Sequence, residues 1–209
     1  MTYTVRQIDK RDTHWLLLNV HYARRIPPMS YAYGLFLDNE LKGVVTYGMP
    51  ASPSLCKGVA GDKWRKHVLE LNRLCLVDNL PNEASRLVGA SLKLLPKPLV
   101  VVSYADTAQS HTGYIYQATN FLYTGITVKR TEWAVRGLEH MHTKAISNTV
   151  AHLDMPPLQA VKEIYGDRFY YRERSQKHRY VFLVGNKTRR KELQQALRYP
   201  ALPYPKENP

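Results

Sequence analysis

The sequence predicts a mixed α/β fold in which a central twisted sheet is flanked by helices, and three observations predict it. Strand-type alternation and helix-type apolar stripes follow one another in the order β-α-β-β-β-α-β-α-β. The run Val100–Tyr104 is almost wholly apolar and delivers Asp106 at its carboxyl end. A polar turn and a helix opening at Thr112-Gly113 come directly after it, carrying Tyr114, Tyr116 and Asn120. A carboxylate at the end of a buried strand, followed by helix-borne phenols, is how α/β proteins build sites at the ends of their sheets.

Taken in order, Tyr3 to Ile8 alternates as a first strand. Asp12-Thr13 then caps a helix through Trp15, Leu16 and Leu18 that reaches His21-Tyr22 and is ended by Arg24-Arg25-Ile26-Pro27-Pro28. Tyr31 to Leu37 and Leu41 to Met49 read as strands joined by the polar hairpin signal Asp38-Asn39-Glu40. Pro50 to Gly61 is rich in Pro, Gly and Ser and is expected as a loop. Val68 to Val77 alternates with a break that suggests a bulge. From about Asn82 a helix carries the near-helical apolar stripe Ser85, Leu87, Val88, Leu92, Leu94 and Leu95, and Pro96 and Pro98 stop it. Leu99 to Tyr104, the helix from Thr112 to Phe121, and Leu122 to Lys129 continue as strand, helix, strand. Pro157 to Tyr165 reads as a short helix, Tyr180 to Val184 as a last strand and Lys187 to Leu197 as a basic helix. The expectation is one domain over residues 1–209, with a less regular insertion at about 130–175 and a frayed Pro-rich tail at about 199–209.

Thirty Lys+Arg against 17 Asp+Glu leave a formal charge of +13. Such an excess attracts polyanions, and nucleic acid is the leading partner. Fifteen tyrosines are interleaved with the basic residues, as in HYARR and RFYYRERSQKHRY, so rings that stack bases can stand beside cations that hold phosphates. Ordinary strand tyrosines would give the same count. Cys56 and Cys75 are 19 apart without a CxxC, which points to neither a zinc site nor a disulfide scaffold. No leader-type apolar segment and no long apolar run is present, so the expected location is the cytoplasm, with no membrane partner.

Several residues can carry chemistry. His21 can act as general base or metal ligand, and Tyr22 beside it can position a proton or stack a base, although a lone histidine at a helix end is also an ordinary structural feature. Asp106 is either a site carboxylate or a turn and helix-cap aspartate. Arg73 lies mid-strand, where it must reach an open cleft or pair with Glu70 or Asp78. Asn120, four residues beyond Tyr116, is expected on the same helical face, with an amide able to meet an adenine edge, while Tyr114 turns elsewhere. His111, His140, His142 and His152 lack metal-site spacing, but His21, Asp106 and Tyr116 could assemble one in space.

Three segments carry a resemblance: NVHYARR (19–25), ELNRLCLVDN (70–79) and YADTAQSHTGYIYQATNFLYTG (104–125). Over roughly Thr13 to Lys129 the chain resembles the Mom family of phage DNA-modification proteins. That resemblance implies a GNAT-like, acetyltransferase-type fold. It also implies conversion of the exocyclic amine of adenine in double-stranded DNA to a carbamoylmethyl amine, shielding phage DNA from restriction enzymes in the host cytoplasm. By the same resemblance His21 and Tyr22 belong to the active site, Tyr116 partners Asp106, and Arg73, with Ser91 on the following helix, serves the donor. Arg24 and Arg25 are further candidates to hold substrate or donor, and iron is a candidate cofactor.

Acetyltransferases of this type hold the coenzyme A pyrophosphate on a glycine-rich turn opening a helix. The matching stretch here, Asp78 to Arg86, has no glycine, one proline and two acids. A carbamoylmethyl group also contains the atoms of a glycyl unit, whereas acetyl coenzyme A would have to react at an unactivated methyl. The expected donor is therefore a glycyl ester, glycyl-tRNA, with acetyl coenzyme A as the alternative. Asp106 or His21 would remove protons, Tyr116 would steady the oxyanion, and Tyr22, Tyr33 or Tyr31 would stack on an adenine drawn out of the duplex. Two other classes remain: a coenzyme A-dependent acetyltransferase acting on a protein or small-molecule amine, and a basic DNA-binding protein without catalysis.

Overall fold

The computed structural model describes residues 2–139, 141 and 143–205. Strands β1 (Tyr3–Gln7), β2 (Tyr31–Leu37) and β3 (Glu40–Gly48) form an antiparallel meander. Helix α1 (Pro53–Trp64) leads to β4 (Val68–Leu76), α2 (Glu83–Leu94) to β5 (Leu99–Asp106), and α3 (Tyr114–Ala118) to β6 (Leu122–Ile126). After β7 (Arg130–Val135), α4 (Thr143–Thr149), α5 (Pro157–Tyr165) and β8 (Phe169–Arg174), the chain closes with β9 (Lys177–Val184) and α6 (Lys187–Ala196).

The chain divides into two compact units, Met1–Ile126 with Lys177–Pro209, and Thr127–Gln176. The larger holds a seven-stranded sheet in the order β1-β2-β3-β4-β5-β9-β6. Every neighbouring pair is antiparallel except β4 and β5. This is the expected class, a central mixed sheet flanked by helices. Alternation along β5 sorts its residues between two cores. Val101 and Ala105 pack with Leu87, Val88 and Leu92 of α2, whereas Val100 and Val102 pack with Cys56 and Val59 of α1 and Leu193 of α6. A smaller cluster on Val44 and Cys75 seats Leu16 and Leu17. Both cysteines are free and buried.

The smaller unit pairs β7 with β8 antiparallel and covers them with α4 and α5 around Val135, Ile146, Val150, Ala160 and Val161. The stretch expected as a less regular insertion thus has strands, helices and a core of its own. His140 and His142 lie outside the described residues.

The structure corrects four further readings. The loop expected at Pro50–Gly61 is largely α1, because Ser52 caps the Leu55 amide and Pro53 occupies the first helical position, where its missing N–H costs nothing. The first helix is instead a 3-10 turn, Lys10–Thr13, capped by Asp9, followed by a π-helical stretch, Leu16–Val20. Helix α3 stops at Ala118, and Asn120 follows in the left-handed region at φ 61°. The tail is tied down through residue 204: the Leu202 amide donates to the Tyr123 carbonyl at 2.8 Å, and the Tyr204 hydroxyl donates to the Phe121 carbonyl at 2.7 Å.

Candidate functional site at the opening between β4 and β5

Parallel pairing of β4 with β5 covers only Val68↔Val100, Leu69↔Val101 and Glu70↔Val102. Past this point the ladder ends, and the two strands are joined by the Ser103 hydroxyl donating to the Leu71 carbonyl at 3.0 Å. On its other edge β4 carries the expected bulge: Arg73 lies opposite Thr46 and Leu71 opposite Tyr47, leaving Asn72 as the extra residue. Asn72 accepts from the Thr46 hydroxyl at 2.6 Å and donates to the Pro28 carbonyl at 2.9 Å, which fastens the loop after His21 to the sheet. The bulge therefore sets the directions of both Arg73 and that loop.

His21 ends the π-helical stretch, its amide donating to the Leu16 carbonyl at 2.9 Å. The ring is buried and stacks on Tyr22 at 4.4 Å between centroids, while Tyr22 itself is 63% exposed. Burial first, and the Arg73 guanidinium second, lower the histidine pKa to about 4. Nδ1 accepts the Ala23 amide at 3.0 Å, so the neutral ring carries its proton on Nε2. His21 is thus fitted to donate a hydrogen bond from Nε2 rather than to accept a proton at Nδ1.

Arg73 donates from Nη1 to the Asn72 carbonyl at 2.5 Å, and its buried Nε has no partner among the described residues. It reaches the opening and makes no ion pair with Glu70 or Asp78. Glu70, which sequence reasoning treated only as a partner for Arg73, is the group it missed. It sits at the last paired position, on the α1 side of β4, and makes no hydrogen bond or ion pair among the described residues. Desolvation holds its pKa above the usual carboxylate range, against the pull of Arg73, Lys177 and Arg25. An unpaired carboxylate at the end of the ladder becomes visible only once the ladder's end is known.

Tyr116 packs between Phe121 and Tyr180, with centroids at 5.3 and 5.2 Å. Burial raises its pKa, the Ser103 side chain lowers it by hydrogen bonding, and Tyr22 and Glu70 raise it further. The phenol therefore reaches the opening from the α2 side. Gly113, at φ 85°, permits this: a side chain there would collide with the Tyr180 ring. Tyr114 is 68% exposed.

The other candidates fall elsewhere. Asp106 caps the turn Thr107–Gln109, accepting from the Ala108 amide at 3.0 Å and pairing with Lys177 at 3.1 Å. The turn and cap reading is the one its geometry fits. Ser91 is fully buried between the Tyr47 hydroxyl at 2.7 Å and the Val88 carbonyl at 2.9 Å, so its expected donor role is corrected to core packing. Asn120 does not share a helical face with Tyr116 and lines a cavity beside α2. Tyr33 is buried in the core and cannot stack on a base, whereas Tyr31 is only partly covered. Arg24 and Arg25 are exposed, and Arg25 is close enough to act electrostatically on Arg73 and Glu70.

Neither implied cofactor fits the residues present. At the α2 N-terminus the Glu83 carboxylate, 2% exposed, accepts from the Leu80 amide at 2.9 Å and the Tyr3 hydroxyl at 2.9 Å. A carboxyl group of the chain itself thus occupies the opening of α2, the stretch that lacks the glycine-rich turn. For iron, His21 Nδ1 and both Asp106 oxygens are engaged, and no group of three His, Cys, Asp or Glu is gathered among the described residues.

The class these features define is a mixed-sheet α/β protein, a central sheet flanked by helices, whose candidate site lies where two parallel strands part. The chain belongs to the Mom protein family, whose model matches residues 2–206. It is 34% identical over 111 residues to the methylcarbamoylase mom of Escherichia phage Mu, a match covering 50% of this chain and 46% of that protein. The match thus spans about half the length of that curated relative. Among solved structures, an N-acetyltransferase from Staphylococcus aureus Mu50 is similar with TM-score 0.47 and 10% identity, over 88% of this chain and 100% of that one. Arabidopsis thaliana NAA60 in complex with a bisubstrate analogue is similar with TM-score 0.49 and 10% identity, over 89% and 100%.

Proposed function

We propose that this protein is a DNA-modification enzyme that converts the exocyclic amine of adenine to a carbamoylmethyl amine, by glycyl transfer from an activated ester followed by rearrangement. The observation that carries the reading is the unpartnered Glu70 carboxylate at the β4/β5 opening, electrostatically coupled to Arg73 and Tyr116. A base, hydrogen-bond donors for an oxyanion and a stacking ring are what acyl transfer to a weakly nucleophilic aromatic amine needs.

In the first step the adenine amine attacks the glycyl ester carbonyl. The new C–N bond forms, Glu70 takes the amine proton, and the ester C–O bond breaks to release the donor alcohol with that proton. His21 Nε2–H and Arg73 Nε–H are the donors for the tetrahedral oxyanion. The Tyr116 hydroxyl, kept protonated by its raised pKa, assists the leaving oxygen. In the second step the free glycyl amine attacks the ring carbon that bears the acylated nitrogen, closing a five-membered ring. Breaking the original C–N bond then frees that nitrogen as a primary amide. No oxidant is consumed, and no atom beyond the glycyl unit is added. Tyr22 stacks on the extruded base, and Arg24 and Arg25 hold flanking phosphates.

The test is mass spectrometry of nucleosides from plasmid DNA of cells expressing the protein or its Glu70→Gln variant. The expected result is a deoxyadenosine carrying one glycyl unit with the wild type and none with the variant. Unmodified DNA from a well-folded wild type overturns the reading. Modification in vitro with acetyl coenzyme A and iron, but not with a glycyl ester of RNA, overturns the donor.

A further inference from the structure

Away from the opening, a cavity of about 740 Å³ runs along the flank of α2 and over β9 to the start of α6. Its rim carries Arg86, Lys93, Lys97 and Arg190, all exposed, and no carboxylate lines it. None of the four forms an ion pair among the described residues, and none belongs to the site described above. The floor is different in kind: Phe182 lies against it with Leu122 and Leu183, and the Asn120 amide enters from one side.

A second observation comes from α6. Its opening residues, Lys187, Arg189, Arg190 and Lys191, place four cations at a helix N-terminus, where the dipole favours anions, and no acid stands in the first turn. Among the described residues, Arg189 alone is answered by a carboxylate, Glu192 at 2.7 Å. A helix opened this way gains from an external anion. Cations along a rim with an apolar, partly aromatic floor are what a single polynucleotide strand needs, phosphates on the rim and base faces on the floor.

We propose that this groove binds the phosphodiester backbone of a single polynucleotide strand, separate from the adenine at the β4/β5 opening. The inference rests on the nucleic-acid reading above. From Asn82 to Lys93 the α2 flank spans about 16 Å. That length takes several consecutive phosphates. The occupant is a segment of the target DNA, and a free RNA strand is the alternative that the test separates from it.

The test compares three proteins, the wild type, the groove variant Lys93→Glu/Lys97→Glu/Arg190→Glu, and a control of equal net charge, Lys10→Glu/Arg11→Glu/Lys66→Glu. Circular dichroism first verifies that each is folded. Fluorescence anisotropy then measures binding of a single-stranded DNA oligonucleotide and of an RNA of the same sequence over a salt series. The groove variant should lose at least about tenfold in affinity, and the slope of log K against log salt should fall by about 2, at ~0.7 per strand phosphate. The loss should appear with the DNA oligonucleotide, and a loss confined to the RNA overturns the DNA occupant. Equal losses in groove variant and control reduce the effect to net charge and overturn the proposal, as does an unchanged groove variant. If the wild type binds and the groove variant does not, while neither modifies adenine, the groove stands and the functional reading falls. If the groove variant both binds and modifies as the wild type does, the groove falls and the reading stands.

Discussion

Glu70 and His21 have pKa shifts of opposite sense, and both shifts leave the group uncharged more readily than in water. For Glu70 the folded-state pKa is raised, so the unfolded chain ionises first as pH rises, and the folded state is penalised above that point. Glu70→Gln should therefore raise the melting temperature at neutral pH while lowering turnover by about 10²–10⁴-fold, the usual contribution of a general base. A variant that loses stability without losing turnover would remove Glu70 from the chemistry. For His21 the folded pKa is depressed to about 4. Its contribution is present above pH 6.5 and is lost as pH falls from there toward 4, by up to roughly 3 kcal/mol. Denaturant midpoints at pH 7 and pH 4.5 should differ more in the wild type than in His21→Asn. Ser91→Ala strands the buried Tyr47 hydroxyl and should cost about 1–3 kcal/mol, with the KM of any donor unchanged. A raised KM with unchanged stability would return Ser91 to the donor site.

At the scale of elements, two irregularities set the site. The π-helical turn before His21 holds one residue more than an α-turn would, and His21, on whose ring Arg73 of β4 acts electrostatically, caps it. Deleting the exposed Asn19 should restore α-helical spacing, leave the melting temperature within a few degrees and lower turnover at least about 10²-fold by misplacing His21. The bulge at Asn72 works in the same way on Arg73. Helix α2 begins with its own carboxylate in the N-terminal anion position. Millimolar coenzyme A should consequently produce no shift in melting temperature. A clear shift would show that Glu83 can be displaced and would favour the acetyltransferase reading.

For the whole molecule, the net charge of +13 is a long-range property that no single pair accounts for. Self-repulsion of this size is screened by salt, so the melting temperature of the free protein should rise from 10 to about 150 mM salt, the Debye length shrinking from about 30 to 8 Å. Nucleic-acid affinity should fall over the same interval, since counterion release then yields less. The sheet separates two faces. Glu70 lies on the α1 side of the opening, Tyr116 reaches it from the α2 side, and the cationic groove follows the α2 flank.

Periodicity and turn chemistry in the sequence were enough to define most elements. Tyr31–Leu37 and Pro157–Tyr165 have the expected ends, and the bulge was legible in the broken alternation of Val68–Val77. Helix α1 was hidden because Pro and Gly also mark loops, and only the Ser52 cap distinguishes the two. Of the candidate site, His21, Tyr22, Arg73 and Tyr116 could be named from local pattern and resemblance. The sequence also determined the basic charge, the absence of a zinc-type cysteine pattern and the lack of a glycine-rich turn before α2. Tertiary structure alone decided that Asp106 is held by a turn and a lysine, that Ser91 is core, and that Glu70 has no hydrogen-bond or ion-pair partner among the described residues. The physical reason is that a carboxylate's role depends on what desolvates and pairs with it, and those neighbours arrive from strands and helices distant in the chain.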